Sequence, residues 1–402
     1  MNRYFYDYYE SDTKIERVRC PMPLREMERR WSAVRQAMKQ EGIDALIMQN
    51  NNEMLGGYVR YFTDIPPHGY STTVIFPADQ EMFVLDHGAG NPAAPTLSDR
   101  GIQRRIGLPY VNSLKTTQDY VPKAALDVMR SLNVKKVGWV NQGVLPMRIA
   151  DCLRDGLPKT EFVDATDLVD KIKMIKSADE MVYIRKAVRI HDILEAALPA
   201  IIRPGRYDYD IRNEVMRIAS DMGSEEQLVM SGSAPNGQNT KQLRSCWLNR
   251  RIEPGDQVYL MMEVSGPGGY YGEIGRTFCL GEPSKEMVHA WETAVKAQEA
   301  VEAMLRPGTK VADLFRTSNR ILTENGYPAE KRIFGHGQGY DLVERPVFSE
   351  DEELQELQEG MFISTHPLAQ NDKAYAFCCD NFYITKDGCE RITQTPREIF
   401  II

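Results

Sequence analysis

Residues 255–280 read GDQVYLMMEVSGPGGYYGEIGRTFCL, and the fold turns on this stretch. An apolar run at 258–264, a Gly- and Pro-rich turn at 265–269 and a second run leaving through Arg276, Thr277 and Phe278 spell a β-hairpin. Glu263 and Glu273 interrupt its apolar arms. A carboxylate in such surroundings is costly to ionise unless it has a partner or a task, so these two are the first candidates for chemistry.

Upstream of the hairpin, Ser177 followed by Glu180 forms a capping box, and Met181, Ile184, Ala187 and Ile190 continue a long amphipathic helix. Pro204 and Gly205 end it, 211–222 is a further helix, and the Gly, Ser, Pro and Asn of 231–239 mark irregular structure. Downstream, 285–305 and 311–325 read as helices, followed by the glycine-dense FGHGQGYDLVERP at 334–346. The acidic run 350–359 reads as a solvated surface. Strands are expected around 361–365, 375–377 and 381–385. At the start of the chain, Leu24, Met27, Trp31, Val34 and Met38 give 23–41 one apolar helical face, closed by Gly42. Strands at 45–48, 72–76, 82–84 and 136–140 with a helix at 120–131 make this part an α/β layer structure.

The chain has 402 residues, enough for two domains, and its 42% hydrophobic and 26% charged content is that of a globular protein. A net charge of −8 without a basic, aromatic-interleaved patch argues against a nucleic-acid partner. The opening MNRYFYDYYESDTKIERVR lacks the pattern of a secretory leader, and no run approaches the roughly 18 apolar residues of a membrane span. Seven cysteines without CxxC spacing point to reduced thiols. The expectation is a cytoplasmic protein with no membrane partner.

Four segments, GDQVYLMMEVSGPGGYYGEIGRTF, FGHGQGYDLVERP, EGMFISTHP and FCCDNFYITKDG, stand in an order and spacing that resembles the pita-bread family of methionine aminopeptidases, Xaa-Pro peptidases and creatinase. The resemblance extends over KIKMIKSADE at 171–180 and the smaller domain before it. It implies an α/β (α+β) chain, with a creatinase-like N-terminal α/β domain at 1–165 and a pita-bread catalytic domain at 166–402. Peptidases of the family hold two divalent metals with two Asp, one His and two Glu. Here the first Asp falls at Met262 or, with a one-residue shift, at Glu263. The second is Glu273, the His is kept as His336, the first Glu is His366, and the last falls at Cys379 or Asp380. A second His expected seven residues on is Val343, and the loop 231–245 that supplies a further His has none.

A pair of hard divalent cations needs several bridging carboxylates, so the exchange of ligands implies a member closest in character to creatinase and ectoine hydrolase. The expected activity is hydrolysis of a C–N bond in a small non-peptide substrate, with no cofactor favoured. A single Zn or Fe held by Glu263, Glu273, His336, His366 and Asp380 is the chemically reasonable variant. His336 or His366 would act as general acid or base, with Glu263 or Glu273 binding a cationic group or attacking covalently. Asp380, Tyr271, Tyr340, Arg345 and Arg276 are the candidate substrate contacts. A homodimer is expected, with His68 reaching the partner subunit's pocket. His87, His191 and His289 are expected to be structural. Three alternatives stand beside this one: a lyase or decarboxylase similar to the dimethylsulfoniopropionate lyases, an Xaa-Pro dipeptidase, and a non-catalytic binding protein.

Overall fold

The computed structural model describes residues 20–50, 54, 57–66, 69–88, 99–109 and 114–402. His68 lies outside the described residues. The chain forms two compact units, Pro21–Lys173 and Met174–Ile402.

The first unit is built on a six-stranded sheet in the order Ile102–Leu108, Met82–His87, Thr72–Pro77, Ala45–Asn50, Lys136–Trp139, Glu161–Asp164. The two hairpin pairings of the early strands are antiparallel and the remaining ones parallel. Helix Leu24–Glu41 buries Met27, Trp31, Val34 and Met38, the apolar spacing seen in the sequence, and Gly42 closes it in the left-handed region at φ 66°. Two strands were not legible. Ile102–Leu108 and Glu161–Asp164 are the sheet's edges, and their polar, partly exposed residues lack an apolar run because an edge strand is not covered on both sides. Helix Thr166–Lys173 ends this unit, beyond the expected 165/166 boundary, and buries Leu168 and Val169.

In the second unit, helix Ala178–Ile201 starts at the expected capping box, with Ser177 and Glu180 bonded reciprocally. The hairpin arms are Asp256–Ser265 and Tyr271–Cys279, and Gly268 and Gly269 turn between them with φ of 91° and 84°. They belong to a four-stranded sheet ordered Phe400–Ile401, Tyr271–Cys279, Asp256–Ser265, Gln227–Pro235. The last of these corrects the irregular structure expected at 231–239 over 231–235, while 236–239 is a turn as expected. Gln227–Pro235 pairs along its whole length with Asp256–Ser265, and Gly232 is there because a Cβ would strike the backbone of Thr240 and Lys241. A second sheet runs Glu344–Val347, Gly335–Gly337, Phe362–Thr365, Asp380–Ile384, Cys389–Arg391.

Alternation splits the hairpin into two faces. Val258, Leu260, Met262, Val264, Ile274 and Phe278 join the core formed with helices Ala178–Ile201 and Asp208–Asp221. Tyr259, Met261, Glu263, Glu273, Gly275 and Thr277 share the other face, where Tyr259 and Met261 pack with Leu368, Tyr375, Phe377 and Cys379. Among the described residues no helix is long and apolar enough to cross a membrane.

Candidate active site

Glu263 and Glu273 are direct cross-strand partners, and Met262 pairs with Ile274 on the helix-covered side. The register therefore decides between Met262 and Glu263: only Glu263 faces its fellow carboxylate. Directly opposed residues have Cβ atoms about 5 Å apart, and both side chains are buried. Burial first, and then the neighbouring Glu273, push Glu263 well above the usual carboxylate range. Burial likewise raises Glu273 to about 7, against the opposing hydrogen bonds of Ser364 and Cys379.

Across from this pair stand two imidazoles. His336 lies on Gly335–Gly337, opposite Ser364 of the neighbouring strand. Its Nδ1 donates to Gly337 O at 3.1 Å, which leaves Nε2 facing Glu273 Oε2 at 3.6 Å. His366 follows strand Phe362–Thr365, anchored by its N–H to Phe334 O at 2.7 Å, and its ring stacks on Phe377 with centroids 5.1 Å apart. The two imidazole centroids are 5.2 Å apart. Burial lowers His336 to about 4; it also takes His366 well below the usual histidine value, with His336 adding to the effect. Both rings are neutral near pH 7. Ligand atoms of Glu273, His336 and His366 lie within 4.8 Å of one another. Glu273 Oε2 and His366 Nδ1 have no hydrogen-bond partner among the described residues.

Cys379 and Asp380 are adjacent on the chain and point opposite ways. Cys379 Sγ lies 3.1 Å from Ser364 Oγ, the residue paired with His336 across the neighbouring strand, so it is the member facing the site. Asp380 turns away and meets Arg276 at 2.6 Å, Arg391 at 2.8 Å and Arg397 at 2.6 Å. Burial alone would raise its pKa, but the three guanidinium groups, Arg276 foremost, bring it down to about 2. The expectation that Asp380 binds substrate or metal is thereby corrected: its oxygens are fully engaged by arginines. Arg276 is corrected with it. Its Nε donates to Pro396 O, Nη1 to Gly275 O and Cys379 O, and Nη2 to Asp380 and Thr395 O.

Tyr271 shares the face of Glu273, but its hydroxyl donates to Glu226 at 2.8 Å. Tyr340 packs its ring 4.2 Å from that of Tyr270, whose hydroxyl is bonded to Glu180. Arg345 lies on Glu344–Val347, the edge strand next to Gly335–Gly337. His191 is structural as expected, donating from Nδ1 to Ala187 O and accepting Val264 N–H on Nε2. His289 contacts Asn325 O, and His87 stacks on Tyr70.

Sequence reasoning missed Ser364, Phe377 and Asn381. Asn381 clamps the backbone of Glu273 from both sides, accepting its N–H at 3.0 Å and donating to its carbonyl at 2.6 Å. The signal for Ser364 was its place two residues before His366; nothing local marks Asn381.

The trio of Glu273, His336 and His366 fits a single divalent cation, since two imidazoles and a carboxylate suit Zn or Fe and two of its buried atoms, Glu273 Oε2 and His366 Nδ1, have no hydrogen-bond partner among the described residues.

Residues 182–393 match the metallopeptidase family M24, and residues 30–175 the creatinase/prolidase N-terminal domain. An uncharacterized hydrolase/peptidase of Sinorhizobium fredii is 27% identical over 405 residues, covering 94% of this chain and 97% of that protein. The creatinase of a Bacillus species is 24% identical over 403 residues, covering 95% and 93%. The crystal structure of dipeptidase PepE from Mycobacterium ulcerans superimposes with a TM-score of 0.75 at 22% identity, over 95% of this chain and 99% of that one.

Proposed function

This chain belongs to metallopeptidase family M24, a pita-bread hydrolase domain behind a creatinase/prolidase N-terminal domain, and on that premise we propose that it hydrolyses a C–N bond of a small non-peptide substrate. The observation that carries this reading is the buried Glu263–Glu273 pair facing two neutral imidazoles. With Asp380 neutralised by three arginines, these two glutamates are too few carboxylates, among the described residues, to bridge two divalent cations.

The roles follow from protonation states. Burial and the neighbouring Glu273 push Glu263 toward its protonated form, which suits it to donate a proton rather than to attack as an anion. His366 offers as base an Nδ1 that has no hydrogen-bond partner among the described residues. Water gives its proton to His366 and its hydroxyl to the substrate carbon; the C–N bond breaks, and the leaving nitrogen takes the proton of Glu263. Glu273, held by Ser364, Cys379 and the Asn381 clamp, orients His336 Nε2. A divalent cation on Glu273, His336 and His366 would supply Lewis acidity at the same place. That trio also supports a second reading, an Xaa-Pro dipeptidase working with one ion. The proposal further includes a small-molecule substrate and a homodimer, the latter checked by light scattering.

The test is a substrate panel of small amides, amidines and Xaa-Pro dipeptides, run with chelator and with added Zn or Fe in oxygen-18 water. Turnover of a non-peptide substrate with label in the acyl product is expected. Turnover of dipeptides alone overturns the reading, and an unlabelled product would mark a lyase instead.

A further inference from the structure

Gln338 lies in the glycine-dense run two residues after His336; it is fully buried, and neither atom of its carboxamide has a hydrogen-bond partner among the described residues. Its backbone N–H reaches Phe362 O at 3.3 Å, so the pairing of Gly335–Gly337 with Phe362–Thr365 continues through it. Alternation then puts Gln338 and His336 on one face. Their glycine neighbours present the other face: a Cβ on Gly337 would strike the backbone of Arg345, and one on Gly339 the carboxylate of Glu344. Two contacts bracket Gln338 against the hairpin. On one side His336 Nε2 lies 3.6 Å from Glu273 Oε2, and on the other Gly339 O accepts the Tyr271 N–H at 2.8 Å.

A carboxamide offers two donors and an acceptor, and a buried polar group left unpaired destabilises the fold. We infer that Gln338 recognises the substrate, and that the substrate is a cyclic amide, a lactam or cyclic ureide, whose adjacent N–H and C=O pair with Gln338 Oε1 and Nε2. This rests on the C–N hydrolase reading and narrows it. The carboxamide edge presents donor and acceptor side by side, so its complement needs N–H and C=O on the same side. A trans peptide bond points them in opposite directions, and an Xaa-Pro bond has no N–H. Among secondary amides a five- or six-membered ring holds them together; a linear primary amide also has an N–H syn to its C=O, so the linear compound that lacks this edge is a trans secondary amide. Pairing in the plane of the amide leaves the faces of the carbonyl carbon open. Opening the ring consumes one water: its hydroxyl bonds to the carbonyl carbon, the C–N electron pair stays on nitrogen, and that nitrogen takes the proton of Glu263 while His366 holds the other.

The experiment compares wild type and Gln338→Leu on 2-pyrrolidinone and hydantoin, on their N-methylated forms and on linear, trans N-methylacetamide, reading ring opening and ligand-induced thermal shift. Wild type should prefer the N–H rings over the N-methylated ones by about 10- to 100-fold, the size expected when one hydrogen bond is lost and Gln338 Oε1 is left buried without a partner. Gln338→Leu should erase that preference through KM, with an unliganded Tm equal to or above that of wild type. A leucine variant that keeps the preference overturns the inference, as does one that lowers Tm and leaves the preference intact, which would make Gln338 a structural residue. If wild type hydrolyses linear amides and neither turns over nor binds the rings, this inference falls and the C–N hydrolase reading stands. If it hydrolyses Xaa-Pro dipeptides alone, both fall.

Discussion

His336 Nε2 lies 3.6 Å from Glu273 Oε2, with the imidazole neutral and the carboxyl raised to about 7. Both shifts come chiefly from burial, which disfavours whichever form is charged. A pair that would be an ion pair in water is here a neutral imidazole beside a carboxyl poised to give up its proton near pH 7. Such a pair changes charge readily when a substrate or a cation arrives, and the following expectations probe it.

Removing the base should stop the chemistry. His366→Ala is expected to lower kcat by at least about 10²-fold, the usual contribution of a positioned acid or base, while circular dichroism shows an intact fold. If His336→Ala and His366→Ala both turn over the substrate normally, the acid/base assignment is lost.

The carboxyl pair should leave a mark on stability against pH. A carboxyl whose folded pKa lies above its unfolded one stabilises fully below about 4.5, and that contribution is lost as pH rises through about 7. For Glu273 the shift amounts to on the order of 3 kcal/mol. In chelator, Glu273→Gln should therefore gain Tm relative to wild type as pH goes from 5 to 8. The histidines work in the opposite sense: His336, lowered to about 4, adds stability as pH rises from there through its unfolded value of 6.5. A Tm difference between Glu273→Gln and wild type that stays constant across this range refutes the raised pKa.

Cation binding should be limited to one site. Equilibrium dialysis with Zn is expected to give at most one ion per chain, and His336→Ala should abolish it. Two ions per chain would overturn the assignment of Asp380 to its arginine cage, because a second ion needs that carboxylate.

Asp380 should matter for folding rather than for recognition. Asp380→Ala leaves Arg276, Arg391 and Arg397 without their shared counter-charge, and breaking a buried pair in this way costs about 3–5 kcal/mol. A large fall in Tm is expected in thermal unfolding. A variant with wild-type Tm and a raised KM would restore Asp380 to the substrate.

Gly275 lets Phe377 approach the hairpin. A Cβ there would come within 2.5 Å of the Phe377 ring, which stacks on His366. Gly275→Ala should cost about 1–3 kcal/mol from overpacking and displace His366, so kcat should fall about 10-fold or more. Unchanged turnover would show that Phe377 does not hold the imidazole.

Much of the arrangement was written locally. The capping box at Ser177 and Glu180, the apolar spacing from Met27 to Met38 and the Gly-rich turn at 265–269 are short-range signals, because helix and turn geometry depends on a few neighbouring residues. His336 and His366 stood out by type and position, as did the two glutamates of the hairpin. The strand Gln227–Pro235 and the two edge strands of the first unit were not visible, since their pairing comes from partners elsewhere in the chain.

The amino-acid sequence by itself determined the order of the four segments, hence the family, and the residue types available for chemistry. Tertiary structure alone decided which member of each adjacent pair faces the site. Neighbours on a strand point to opposite faces, and only cross-strand register says which face is which: Glu263 over Met262, Cys379 over Asp380. It also decided charge. Asp380 is ionised because arginines at 276, 391 and 397 converge on it, and Glu263 is pushed toward its protonated form because burial and Glu273 act together, conditions that exist only once distant segments have folded onto one another.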